Sequence, residues 1–261
     1  MSSTLESNGL VVARGLVVNP ILSDSLKAIT EAFDRHAALP GPLSAAAPTR
    51  VFLPVQTSPN APMNDTPTHK RDFKLPFETI EPLLKSALGR AASEYELLRY
   101  LPDPDVMEIT VIRGLPGADA QEWHADSSWS SSSKMITMFL ALHDVVEESM
   151  GPTWFVSNTH RPACFDDDVW IPPTPSLVEE RGPVWFELNG GDGVLMEVRR
   201  WRKTKGCGAR GARRRSFMSI YSHVVLNLPL LLHHHRHHRH RHHHHRHHDS
   251  LRSSYKEHLL A

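Results

Sequence analysis

From residue 105 to residue 226 the apolar residues come in short runs and not in long helical stripes. VMEITVI (106–112), KMITMFLALHDV (134–145), PTWFV (152–156), VWFEL (184–188), GVLMEV (193–198) and SFMSIYSHVV (216–225) are rich in Val, Ile, Phe, Trp and Thr, with Gly, Pro, Asn and Asp between them. β-Branched and aromatic side chains pack well on a pleated surface, and turn residues at this spacing separate strands. The N-terminal third is patterned differently. GLVVARGLVV (9–18) reads as one more short strand, whereas Leu26, Ile29 and Phe33 recur at helical spacing in SDSLKAITEAFDRH, with Ser23 or Asp24 as N-cap. PFETIEPLLKSALGRAASEYELL (76–98) is helical again, on condition that Pro82 sits in the first turn, where its missing N–H is not needed. The expected fold is mainly β with flanking α, a sandwich or jelly roll with N-terminal helical cover.

Two stretches have no apolar period. Residues 37–68, rich in Pro, Ala, Ser and Thr, are expected to form an irregular loop. HHHRHHRHRHHHHRHH (233–248) cannot pack a core, so the folded domain is expected over 1–226 and a low-complexity tail over 227–261. The tail has two readings, metal sequestration by imidazole and a simple repeat tolerated because it is solvated.

Composition narrows the function. The 261 residues carry 29 Lys+Arg against 29 Asp+Glu, which gives no reason to expect nucleic acid or an anionic surface as partner. Cys164 and Cys207 are too far apart for a CxxC pair, which argues against a disulfide framework or a thiolate zinc site. No secretory signal is recognisable at the N-terminus, and VVLNLPLLL (224–232) is shorter than the ~20 residues that span a bilayer. A cytoplasmic monomer acting on a small molecule, with no membrane partner, is the expectation.

WHADSSW (123–129) is the stretch with chemistry in it. On a strand, positions i and i+2 share a face, so His124 and Asp126 would project together. Non-haem iron oxygenases hold Fe(II) with two histidines and one carboxylate on one face, and leave the opposite positions open. A bare HxD is nevertheless a short motif that recurs by chance.

Its context is more specific. GLPGADAQEWHAD, KMITMFLALHDVVEESMGPTWFVSNTHRP, GGDGVLMEV and RRRSFMSIYS together resemble the phytanoyl-CoA dioxygenase family of Fe(II)/2-oxoglutarate-dependent oxygenases, over residues 8 to 222. The resemblance implies a double-stranded β-helix, Fe(II) and 2-oxoglutarate as cofactors, and hydroxylation of a small-molecule or acyl substrate coupled to 2-oxoglutarate decarboxylation. It implies His124 and Asp126 as metal ligands, Arg214 as the anchor of the 2-oxoglutarate carboxylate, and Phe139 as an aromatic lining the cosubstrate pocket. His160 falls at a structural turn, where Ser157 and Asn158 replace the family's Pro-Gly. Asn is the non-glycine residue that best tolerates a left-handed turn. A guanidinium suits Arg214's implied task because its planar fork binds a carboxylate bidentately.

The pattern breaks once. After GDGVLMEV the family has a tryptophan and then the distal histidine, whereas here Trp201 is followed by Arg202, and no histidine lies between His160 and His223. Arginine stays protonated and has no lone pair for a metal. Three explanations stand side by side: a pseudoenzyme that binds a ligand or metal without turnover, an active member whose third ligand comes from elsewhere, or a misread gene over 197–213.

Overall fold

The computed structural model describes residues 4–40, 50–56, 70–95, 97, 101, 104–115, 117–126, 135–156, 158–160, 175–197, 202–204 and 217–226. The tail from 227, and with it the His/Arg tract, lies outside them. Ten strands and four α-helices are described: α1 (Thr4–Asn8), β1 (Leu10–Ala13), α2 (Asn19–Ala38), β2 (Arg50–Gln56), β3 (Leu75–Pro76), α3 (Glu81–Glu94), β4 (Pro104–Gly114), β5 (Met135–Ala141), β6 (Thr153–Val156), α4 (Pro175–Arg181), β7 (Pro183–Val184), β8 (Gly193–Glu197), β9 (Arg202–Thr204) and β10 (Phe217–Leu226). They form a seven-stranded sheet in the order β1-β8-β5-β10-β4-β2-β3 and a three-stranded sheet β7-β6-β9.

Four expectations change, the first being that VWFEL (184–188) places only Val184 in a strand, β7. Helix α2 starts at Asn19, a turn before Ser23 and Asp24, with Val18 in the N-cap position. Pro20 explains the early start, since its fixed φ suits a first helical turn. The strand expected over 9–18 ends at Ala13, and a strand, Arg50–Gln56, lies within the 37–68 stretch expected to be an irregular loop. Its pattern RVFLPVQ alternates, burying Val51, Leu53 and Val55 while Phe52 and Pro54 face outward, and Pro54 interrupts what a propensity reading looks for. Pro82 lies in the first turn of α3.

Alternation along β5 and β8 sorts the core into two layers. Ile136, Met138, Leu140 and Leu195 share a cluster with Ile29 and Phe33 of α2 and Leu84 and Leu88 of α3. The intervening Phe139, Val194 and Met196 face the other way and cluster with Phe155 of β6. The second face is the interior between the two sheets, and the site lies there.

The entry to β8 is held by Asp192, which is 4% exposed. Its carboxylate accepts from the Gly15 backbone N–H (2.7 Å), Arg14 Nη1 (2.8 Å) and the Asn189 backbone N–H (2.9 Å). Burial pushes the Asp192 pKa up, but these donors outweigh it and hold the carboxyl below its ordinary range. Beside it, Gly191 has φ +90°, and a Cβ there would lie 2.3 Å from the Val17 carbonyl oxygen. Only glycine permits that approach, which lets the Val17 N–H reach the Gly191 carbonyl at 3.0 Å.

Candidate metal centre

Strand β9 is short and polar, RKT, and no apolar alternation announces it. It exists because it is paired on both sides. Phe155 of β6 lies opposite Arg202. On its other side Arg202 and His124 exchange both backbone hydrogen bonds, Arg202 N to His124 O at 2.8 Å and His124 N to Arg202 O at 3.0 Å. HxD is therefore carried on an isolated bridge followed by a bend, and not on the strand that its spacing suggested. Lys203 projects to the opposite face, its Nζ 4.7 Å from the centre of the Trp123 ring.

The three side chains of interest converge. Arg202 Nε donates to Asp126 Oδ1 at 2.9 Å and Oδ2 at 3.0 Å, and Nη2 donates to Oδ1 at 2.5 Å. Thr137, fully buried on β5, donates its hydroxyl to Oδ2 at 3.1 Å. The Asp126 and Arg202 side chains are 4% and 9% exposed, so this is a forked ion pair shielded from water. The guanidinium carbon also sits 5.0 Å above the centre of the Phe139 ring. An aromatic face attracts a cation there, more so once both are desolvated.

His124 completes the group, with Nε2 at 3.8 Å from Asp126 Oδ1. Its Nδ1 lies 2.8 Å from the Glu122 carbonyl, which can only accept, so Nδ1 carries the proton and Nε2 keeps its lone pair. Burial first, and then the Arg202 charge, lower the His124 pKa and keep the ring neutral near pH 7. A neutral imidazole held through Nδ1–H is the form in which histidine binds metals.

Whether iron fits is decided by the donor set. His124 and Asp126 stand together as the HxD reading expects, but the third place is filled by a cation with no lone pair, and Asp126 is already bound to it. Among the described residues no group of three or more His, Cys, Asp or Glu could hold a metal ion. These residues do not fit a three-ligand iron centre in this conformation.

The other expected site residues divide. Phe139 is buried against Phe155, edge to face at 5.8 Å between ring centres, and lines a small cavity with Phe155, Phe186 and Val194. Arg214 lies outside the described residues, as do Trp201 and Ser157. Asn158 takes the left-handed backbone anticipated for it, with φ +55°. His160 is buried with its ring against Gly9, where a Cβ would come within 2.4 Å of it. That packing suits a structural turn residue. His223 is on β10, its backbone paired with Thr137 and Glu108. Thr137 was not anticipated as part of the site, although it is the one hydroxyl residue in the apolar run MITMFLA.

The sequence model of the family described as phytanoyl-CoA dioxygenase (PhyH) matches residues 5–207, a span that includes Arg202. No curated relative matches the chain. Solved structures share the fold. The non-haem α-ketoglutarate-dependent epimerase SnoN from nogalamycin biosynthesis is 16% identical, with 86% of this chain and 79% of that one covered at a TM-score of 0.60. The α-ketoglutarate-dependent carbocyclase SnoK of the same pathway is 13% identical, covering 86% and 82%, at 0.59. HygX from Streptomyces hygroscopicus, solved with nickel, 2-oxoglutarate and hygromycin B bound, is 12% identical, covering 85% and 84%, at 0.51.

Proposed function

We propose, from the premise that this chain belongs to the phytanoyl-CoA dioxygenase family, that it is a dioxygenase-like protein that binds a small organic or acyl ligand without oxidising it. The cofactor pair expected from the sequence, iron with 2-oxoglutarate, is that of the family, and structural neighbours have been solved with Fe3+ or nickel and α-ketoglutarate bound. The observation behind the proposal is the forked Arg202–Asp126 pair: it occupies the carboxylate that HxD would offer to a metal and puts a positive charge beside it. The binding space would be the interior lined by Phe139, Phe155 and Phe186. Fold alone does not fix the ligand. Among the described residues no helix is long and apolar enough to cross a membrane.

A second reading is favoured by one observation. The backbone of His223 is in register with Thr137, so the second reading, an active member whose third ligand comes from elsewhere in the chain, is tested at that residue. Anaerobic titration of the full chain with Fe(II) and 2-oxoglutarate separates the two. The expected result is no metal-to-ligand charge-transfer band and no 2-oxoglutarate consumption on admitting air. A band that forms in the wild type and disappears in His223→Ala would overturn the proposal in favour of the second reading.

A further inference from the structure

We infer that the Arg202 guanidinium is a built-in cation that does the structural work of a metal ion at this centre, so the site is held together independently of metal. This rests on the reading of a centre that does not take iron, and it adds what replaces iron. A divalent ion between His124 and Asp126 would neutralise a buried carboxylate, tie segment 122–126 to the strand of the distal ligand, and fix the carboxylate's rotamer. Arg202 meets each of these tasks. It engages the 4%-exposed Asp126 side chain through Nε and Nη2. Its backbone is bonded in both directions to His124. Thr137 fixes the second carboxylate oxygen, and the Phe139 ring backs the positive charge from below.

The fork geometry matters more than the charge. Asp126 Oδ1 and Oδ2 both lie within 3.0 Å of Nε, with Nη2 closing the second contact, and a lysine ammonium is a point charge that cannot reproduce this. His124 is the part left over. Its Nδ1 is held on the Glu122 carbonyl at 2.8 Å and its Nε2 is directed towards Asp126 at 3.8 Å, so one donor is already oriented for a metal. Exchange of Arg202 for histidine would therefore remove the resident cation and supply a third donor in a single step.

Thermal unfolding of the full chain and its variants in EDTA or in Co(II) tests this, and the His/Arg tract, common to every variant, cancels. The wild-type Tm should be the same in EDTA and in low-micromolar Co(II). Arg202→His should unfold several degrees lower in EDTA and recover in low-micromolar Co(II), a response the wild type lacks, because a metal that binds only the folded state stabilises it. Adding Asp126→Asn to Arg202→His should erase that recovery, and Arg202→Lys should lower the Tm without making it metal-dependent. A wild-type Tm that falls in EDTA overturns the inference, as does an Arg202→His variant that ignores Co(II) or fails to fold in both conditions. Consumption of 2-oxoglutarate by the wild type would instead refute the proposed function, so the two failures are distinguishable.

Discussion

Truncating Arg202 to alanine is expected to lower the unfolding free energy by roughly 3–5 kcal/mol, because it leaves the Asp126 carboxylate buried without its counter-ion. An exposed pair would behave differently, with a loss of about 0–1 kcal/mol. The distinguishing feature is what happens when both partners go. A buried pair exchanged for apolar residues of similar volume is commonly close to neutral, since the desolvation of two charges is avoided. Asp126→Leu with Arg202→Met should therefore recover most of what either single change loses. Urea unfolding of wild type, both single variants and the double variant measures the coupling directly. A single Arg202→Ala variant within about 1 kcal/mol of wild type would show that the pair is not shielded as the geometry indicates.

Asp192→Asn is expected to destabilise by about 1–3 kcal/mol, the scale of leaving a buried donor without its acceptor. The carboxylate accepts from Gly15 N–H, Arg14 and Asn189 N–H, and an amide offers a donor where those contacts need an acceptor. The pH dependence gives a second signature. Asp192 titrates lower in the folded protein than in the unfolded chain, where Asp titrates near about 3.9. At acid pH the unfolded state then binds more protons, so this contribution is complete above the unfolded value and is lost as pH falls through the folded one. Chemical denaturation between pH 7 and pH 2.5 should show that acid-labile component in the wild type and its absence in Asp192→Asn. If the two proteins lose stability in parallel, Asp192 is not the anchor of the β8 entry.

Most strands of the fold could be read directly from the sequence, because runs such as MITMFLA and GVLME combine β-forming residues with sharp turn boundaries. What stayed hidden depends on tertiary pairing. RVFLPVQ contains a proline, and the exposed Phe52 breaks the visual contrast with its buried neighbours. RKT at 202–204 has no strand signature of its own and is ordered by Phe155 on one side and His124 on the other. The site was half legible for the same reason. His124 and Asp126 carry a motif, and Arg202 could be picked out as the residue standing where a ligand belongs. That its guanidinium turns inward onto Asp126 could not be read, since arginines are mostly exposed and it is the pairing with Phe155 and His124 that sets its direction. Asn158 shows the opposite case, in which a local backbone demand was readable from residue type alone.

A guanidinium, and not a metal, sits on Asp126. Crystals of the full chain grown with excess Mn(II) and 2-oxoglutarate, with data collected for manganese anomalous scattering, test it most directly. The expected map has no anomalous peak between His124 and Asp126 and shows Arg202 forked onto the carboxylate. A manganese peak bonded to His124 Nε2 and Asp126, with Arg202 swung out of the interior, would contradict it.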